Sequence, residues 1–578
     1  MRWCFPSART IPQWLTDYLK QELPHAYLPI LGQLLNQVNP SFNNPEELDR
    51  FLRPSLKNSE DPKDILNLPE AVHCIHTACK ANKRIIVVSD YDVDGVTSMA
   101  LMYRFFHYFQ LPFTPVFPLR KSEGYGLTDA FIDRILKTHT PFDYLIAMDC
   151  GTNSTQAIQR INASGASAII IDHHQPTVDP LPSALIVNPH VQPERHSTSA
   201  RNLCTAGLVF KFIQYWRTLL KQDGCAAAEQ LVLSSFLDLV ALGTIADIVP
   251  LRGDNRLWVH FGLRAMDRTP SYGLKTLLKL AGCDSIPTVE DIGFKIGPRI
   301  NAGGRLDSAI APFELLTSDE HPKCKILATE LDSLNSQRKS IEHQMIQEAE
   351  VLIANDPNQH AYVLYQPHWH TGIVGIVAGR LMHKYHCPIF VLGQQNELAK
   401  GSGRSIPGVD LVPLLAQAQP WIHQWGGHEA AVGLSTAIDQ IPALEQSIRR
   451  YLKDTFPVWP QPTLNLSGIL TEDLLTEDFL HILDRLGPFG PGHEPPLFAL
   501  TNIQLTQPPK YFGSNKHHLR LQWNQHSFIA WNYSGVEPSI NQSIDCAIRL
   551  GWNYWANHLN LQIQLIDWRP SESIGLQD

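Results

Sequence analysis

At 578 residues the chain is longer than one hydrophobic core normally serves, so several domains are expected. Its 44% hydrophobic and 18% charged content are those of an ordinary soluble globular protein, and its net charge of −9 argues against wholesale electrostatic binding of nucleic acid while leaving room for a local basic groove. No apolar run of about 20 residues and no signal-peptide core is present, so neither a membrane span nor export is expected. Ten scattered cysteines without a Cys-x-x-Cys pair fit reduced thiols in the cytoplasm better than structural zinc.

Residues 1–80 read as helical and irregular, broken by Pro12, Pro24, Pro29, Pro54 and Pro62, and are expected to form a covering segment. From residue 84 strands and helices alternate, the pattern of a parallel sheet covered on both faces. The β-branched run Ile85 to Val88 reads as a buried strand. It leads into Asp90, Asp92 and Asp94, with a tight turn expected at Gly95 and a helix from about Val96 to Phe109. Three carboxylates so close repel one another unless a cation or protons neutralise them. A site for hard divalent metals is one reading; a solvated acidic turn is the other. Further strands are expected over Phe113 to Leu119, Tyr144 to Met148 (ending on Asp149) and Ala166 to Ile171 (ending on Asp172, His173 and His174). Helices are expected over Leu127 to Lys137, Ser154 to Ser164, Cys204 to Lys221 and Glu229 to Leu242. After the last comes Asp247, a lone carboxylate among apolar residues.

In open α/β sheets, ligands bind at the carboxyl ends of the strands, and three strands here end in potential metal ligands. With 25 histidines, the His173-His174 pair carries no weight by itself, since His517-His518 also occurs; its position behind an apolar strand and Asp172 gives it meaning.

Ser-Asp-Tyr-Asp-Val-Asp-Gly (89–95), Met-Asp-Cys-Gly (148–151), Asp-His-His (172–174) and Gly-Thr-Ile-Ala-Asp-Ile-Val-Pro-Leu (243–251) resemble the four motifs of the DHH phosphoesterase superfamily. Their order and spacing are most similar to the RecJ family of bacterial single-strand-specific 5′-to-3′ exonucleases. The resemblance implies a pair of divalent ions, Mn²⁺ or Mg²⁺, held by Asp90, Asp92, Asp94, Asp149, His173 and Asp247. Asp149 is the candidate bridge between the ions, and His174 is expected near the scissile phosphate or behind the ligands. Oxygen-rich ligation with one imidazole suits these metals, and two of them clamp an in-line phosphoryl displacement.

Arginine forks suit phosphate oxygens, which makes candidates of Arg120 beside a glycine turn and of Arg299 and Arg305 in Gly-Pro-Arg-Ile-Asn-Ala-Gly-Gly-Arg; an ordinary solvent-facing role is the alternative for each. Residues from Cys324 to about Asn355 lack Pro and Gly and carry a stripe through Leu327, Leu331, Leu334, Ile341, Met345 and Leu352, a helix of about 48 Å. Beyond it, His-Trp-His-Thr-Gly (368–372), Gly-Ser-Gly-Arg-Ser (401–405) and Trp-Gly-Gly-His-Glu (425–429) look like the DHHA1 module, with Ser402, Arg404 and His428 as substrate-binding candidates. The last stretch alternates with period two at Leu519 to Trp523 and Leu559 to Leu565, which fits an OB-type barrel. Lys510, Tyr511, Phe512, Lys516 and Arg520 are its candidates for stacking and phosphate contact, while Trp523 is assigned to the core.

The fold class expected is therefore α/β: a DHH parallel-sheet domain (81–320), a connecting helix (321–356), a smaller α/β DHHA1 domain (357–456) and a C-terminal OB-type β-barrel (463–572), preceded by the segment 1–80. The function expected is metal-dependent 5′-to-3′ hydrolysis of single-stranded DNA to mononucleotides in repair and recombination. A cytoplasmic monomer that meets single-stranded DNA, a single-strand-binding protein and a helicase, but no membrane, completes the expectation. A small-substrate phosphoesterase and a catalytically inert single-strand-binding scaffold are the competing functions.

Overall fold

The structure, a computed structural model, describes residues 1–6, 10–22, 24, 27–38, 42–119, 123–124, 126–306, 308–513, 516–555 and 558–571. The chain divides into two compact units, one of Asp61–Asp247 with Phe261–Gln461 and one of Met1–Glu60 with Ile248–His260 and Pro462–Asp578.

The larger unit opens with a five-stranded, all-parallel sheet in the order Thr114–Val116, Ile85–Ser89, Tyr144–Met148, Ser167–Ile171, Leu185–Val187. Every residue of Ile85–Ser89 is buried, as a central strand covered on both faces requires. The helices Val93–Tyr108, Thr205–Gln222 and Leu237–Ala246 pack on one another. Three elements differ from expectation. The helix after the first strand begins at Val93 because Asp92 caps it, its side chain accepting from the Gly95 amide at 3.1 Å. Gly95 is thus inside the first turn, where a Cβ would lie 2.4 Å from the Asp90 carbonyl oxygen, so it serves close approach and not a turn. The stretch expected as one helix from Glu229 is divided into Ala226–Gln230, a 3₁₀ turn at Leu233–Phe236 and Leu237–Ala246. The strand Leu185–Val187, three residues between prolines and polar turns, is too short to carry a periodic signal.

The connecting helix runs from His321 to Asn355. Its buried stripe continues through Leu327, Leu331, Met345, Ala349 and Ile353, interrupted midway by buried Asn335, Arg338 and Glu342. Arg338 donates to Glu342 at 2.7 Å and to Asn335 at 3.2 Å, which satisfies the charges that the apolar stripe would otherwise strand. The helix leads to a second sheet ordered Gln424–His428, Ala431–Ala437, Leu398–Arg404, Ile389–Gln395, Tyr362–Tyr365, antiparallel except for its last pair.

In the other unit a seven-stranded mixed sheet is ordered Gly468–Ile469, Phe498–Gln504, Ser543–Trp555, His558–Pro570, His526–Ala530, His518–Trp523, Gln507–Phe512. Its core also takes in Leu15, Leu19, Leu31 and Leu35 from the helices Gln13–Glu22 and Leu28–Val38. The strand Arg2–Cys4 pairs with Thr463–Asn465. The first sixty residues therefore share a core with the last domain instead of forming one covering layer with residues 61–80, a partnership no local pattern could reveal. Trp523 packs against this core, partly buried, as its period suggested.

Candidate metal centre

Strand register builds the centre. Ser89 pairs with Met148, Met148 with Ile171 and Ile171 with Val187, so the next residues, Asp90, Asp149, Asp172 and Asn188, stand in rank along the carboxyl edge of the sheet. Asp90, Asp149 and Asp172 are each 1% exposed. Asp149 adopts a left-handed φ of 60°, which a short polar side chain tolerates, and keeps its amide on the Ile171 carbonyl at 3.0 Å.

Asp94, one helical turn along, is aimed at the N-terminus of the helix Thr205–Gln222. Its two oxygens accept from the Thr205 amide at 2.7 Å and the Ala206 amide at 2.8 Å, where the helix dipole favours an anion. The Thr205 hydroxyl donates to Asp149 Oδ1 at 3.0 Å. His173 Nε2 stands 3.5 Å from Asp149 Oδ1, 3.5 Å from Asp247 Oδ2 and 3.8 Å from Asp94 Oδ2. Asp247 terminates the helix Leu237–Ala246, and its Oδ2 is buried with no hydrogen-bond partner among the described residues. Asp172 turns away from this group. It accepts from the His173 and His174 amides and from His174 Nδ1 at 2.8 Å, and from the Thr152 amide at 3.1 Å, so it orients the histidines.

Three sets of donor atoms converge closely enough to share an ion: Asp90, Asp92 and Asp149; Asp94, His173 and Asp247; and Asp149, His173 and His174. The first two have no residue in common, and Asp149 reaches toward the second through its 3.5 Å approach to His173.

The electrostatics are those of a site awaiting positive charge. Burial, then the neighbouring Asp94, Asp92, Asp90 and Asp247, push the Asp149 carboxyl well above its ordinary range. Burial followed by Asp94 and Asp92 does the same to Asp247, and burial raises Asp94 despite the opposing His173. Burial lowers His173, which keeps its imidazole neutral and ready to ligate. Burial pulls His174 down, but the Asp172 hydrogen bond and the charges of Asp172, Asp247 and Asp92 together outweigh it and lift this ring to about 9.

The expected phosphate contacts fare unevenly. Arg120 lies outside the described residues. Arg299 is engaged elsewhere: Nε and Nη2 donate to Asp332 of the connecting helix and Nη1 to the Lys295 carbonyl, so it ties two helices together. Arg305 Nη1 donates to the Gly372 carbonyl at 3.0 Å and thereby joins the first domain to the second. His428 pairs with Ala431 and Ala431 with Arg404, which puts Ser402, Arg404 and His428 on one face of the second sheet. A Cβ on Gly375 would lie 3.0 Å from Arg404 Nη2 and 3.3 Å from Ser402 Oγ, so that glycine is what lets both side chains lean against the helix Val374–Tyr385.

Residues 84–244 match the DHH family N-terminal domain, 358–454 the DHHA1 domain and 467–567 the RecJ OB domain. The single-stranded-DNA-specific exonuclease RecJ of Haemophilus influenzae is 32% identical over 515 residues, covering 85% of this chain and 86% of that protein. The chain belongs to the RecJ family. The RecJ of Escherichia coli is 31% identical over 82% of this chain and 84% of its own. Among solved structures, Thermus thermophilus RecJ in complex with Mn²⁺ superposes with a TM-score of 0.83 at 27% identity, over 99% of this chain and 80% of that one. Its Mg²⁺ complex gives 0.77 at 26% identity, over 99% and 79%.

The residues present fit such ions. Oxygen donors dominate, the neutral imidazole of His173 joins them, and the raised carboxyls together with the unbonded Asp247 Oδ2 are what buried ligands look like without their cation. Thr205 and Asn188 were not among the candidates read from sequence, and Asp172, read there as a strand-end acid, orients the histidines beside it. Asn188 donates to Thr152 Oγ1 and to the His174 carbonyl, both at 2.9 Å, and so fixes the loop that carries the histidines. Only the edge position of Asn188 after an apolar strand could have flagged it.

Proposed function

We propose that the chain is an exonuclease that hydrolyses single-stranded DNA from the 5′ end to mononucleotides, using two divalent ions, Mn²⁺ or Mg²⁺. The observation that carries this reading is the pair of donor sets that share no residue, Asp90/Asp92/Asp149 and Asp94/His173/Asp247, flanking one carboxylate that approaches both. Bound there, the ions would supply an activated water and charge stabilisation at the phosphate. The chain's own residues do the rest. Asp149 is the candidate bridge, Asp172 holds the orientation of His174 through its Nδ1, and His174, with its ring raised to about 9, is the candidate proton donor to a phosphate oxygen or a leaving group. Arg305, Ser402, Arg404 and His428 are the candidate grips on the 5′-terminal phosphate and the adjoining backbone, contacts that carry no base information.

The last domain offers a platform for single-stranded DNA. Tyr511 and Trp531 are 41% and 47% exposed, Arg520 lies over the Phe512 ring at 5.0 Å, and Lys510 and Lys516 flank them on the exposed edge hairpin. No helix of the described residues is long and apolar enough to cross a membrane. A monomer acting in the cytoplasm in DNA repair and recombination, with a single-strand-binding protein and a helicase nearby, is the setting that membership of the RecJ family suggests.

The test is to incubate the chain with Mn²⁺ or Mg²⁺ and 5′-labelled single- and double-stranded DNA. Labelled mononucleotides released from single strands alone are expected. Cleavage confined to dinucleotides would point to a small-substrate phosphoesterase, and strand binding without hydrolysis to a scaffold.

A further inference from the structure

From the way Thr205 touches two of the carboxylates with two different groups, we infer that it is a positioning residue for the metal centre, its hydroxyl setting the presentation of the bridging carboxylate of Asp149. The inference rests on the two-ion reading and names a residue that reading does not require.

Thr205 is fully buried and is the first residue of the helix Thr205–Gln222. A hydroxyl at a helix start ordinarily caps the exposed amides, yet here Cys204 occupies the cap without a side-chain bond, and the amides of Thr205 and Ala206 are satisfied by Asp94. The Thr205 hydroxyl is thereby released from local duty. It donates instead to Asp149 Oδ1 at 3.0 Å, across 56 residues of sequence. A hydroxyl in that place does one thing a methyl cannot. It donates to Asp149 Oδ1, the oxygen 3.5 Å from His173, and so restrains the rotation of a carboxylate that also belongs to the Asp90 and Asp92 set. A bridging carboxylate free to rotate would serve one ion at the expense of the other. The main-chain half of the arrangement, the amide on Asp94, is independent of the side chain, so the two halves separate by mutation.

Thr205→Val keeps the shape and the amide and deletes the hydroxyl; Thr205→Ser keeps the hydroxyl and deletes the methyl. The experiment titrates Mn²⁺ into the full-length, metal-stripped chain and follows free Mn²⁺ by electron paramagnetic resonance, with thermal unfolding of the metal-free proteins recorded alongside. Removing a group that orients a ligand lowers metal affinity by roughly 10–100-fold. Thr205→Val is therefore expected to weaken Mn²⁺ binding by that factor with loss of the dinuclear spin coupling, and Thr205→Ser to stay within about threefold of wild type on the same scale. If Thr205→Val does not fold, Thr205→Ala takes its place with the same expectation. Unchanged isotherms in Thr205→Val, or equal damage in Thr205→Ser, would overturn the assignment by removing the hydroxyl from the explanation. Failure of the two-ion reading looks different: the wild-type chain would then bind fewer than two Mn²⁺.

Discussion

The carboxyl edge of the first sheet and the exposed hairpin of the last domain are both candidate contacts with DNA, yet they are built in opposite ways. At the sheet edge Asp90, Asp94 and Asp149 are buried, and main-chain amides or the Thr205 hydroxyl hold Asp94 and Asp149. Tyr511 and Lys510 on the edge strand, Lys516 in the turn of its hairpin and Trp531 just after the strand His526–Ala530 lie open to solvent, with ring contacts such as Phe512 with Trp531 at 5.9 Å. Chemistry on a phosphate tolerates little displacement, whereas a sequence-blind grip on a flexible strand works through many replaceable contacts. A single change should therefore be ruinous at the first site and graded at the second.

The largest effect is expected from Asp149→Ala. Losing the bridging ligand removes several kcal/mol of charge stabilisation, a fall in turnover on the order of 10³-fold or more, while single-strand binding measured without metal persists. Near-normal turnover would end the assignment of Asp149. Next comes Arg404→Ala, which removes a charge-assisted phosphate contact worth about 1.5–3 kcal/mol and should raise KM by about 10–100-fold with a smaller effect on kcat. Arg305→Ala should in addition erode any preference for a 5′-phosphate over a 5′-hydroxyl, read from initial rates on the two substrates. Trp531→Ala should weaken single-strand affinity by about 1–3 kcal/mol and leave hydrolysis of very short oligonucleotides untouched, which fluorescence anisotropy and a dinucleotide assay separate.

A smaller effect concerns pH. Asp149, Asp247 and Asp94 have folded-state pKa values above those of the unfolded chain, so the folded protein binds the extra protons and metal-free stability falls as pH rises from the ordinary carboxylate range toward the raised values. His174, raised to about 9, adds stability that is complete below about 6.5 and is lost as pH passes through 9. Mn²⁺ must displace the protons on the acids, so its binding tightens with pH, and the increment it adds to Tm should be larger at about pH 8 than at about pH 6. Equal increments would mean that the acids are already ionised in the metal-free chain.

The same contrast explains what could be read from the amino-acid sequence. Asp90 and Asp149 follow directly on apolar strands and His173 one residue later, so a short window carries both the element and its candidate ligand, and the parallel register brings the windows together. Asp247 closes an apolar helix and was visible for the same reason. Thr205 was not, because its partners lie 111 and 56 residues away and its own surroundings read as an ordinary helix start. Arg299 misled because a glycine-rich neighbourhood suggested a phosphate loop, whereas Gly297–Leu306 is a helix and Asp332 claims the guanidinium. The union of the N-terminal helices with the C-terminal sheet is a matter of long-range burial, with Leu15 and Leu19 meeting a core built from residues beyond 470. Periodicity says that such a helix has a buried face and nothing about what covers it.

The central claim is that one carboxylate, Asp149, joins two donor sets into a single two-ion centre. Anomalous diffraction at the manganese edge from crystals of the chain grown with Mn²⁺ tests it most directly. Two peaks are expected, one ligated by Asp90, Asp92 and Asp149 and the other by Asp94, His173 and Asp247, with Asp149 within bonding distance of both. A single peak, or a pair that leaves Asp149 on one ion only, would contradict it.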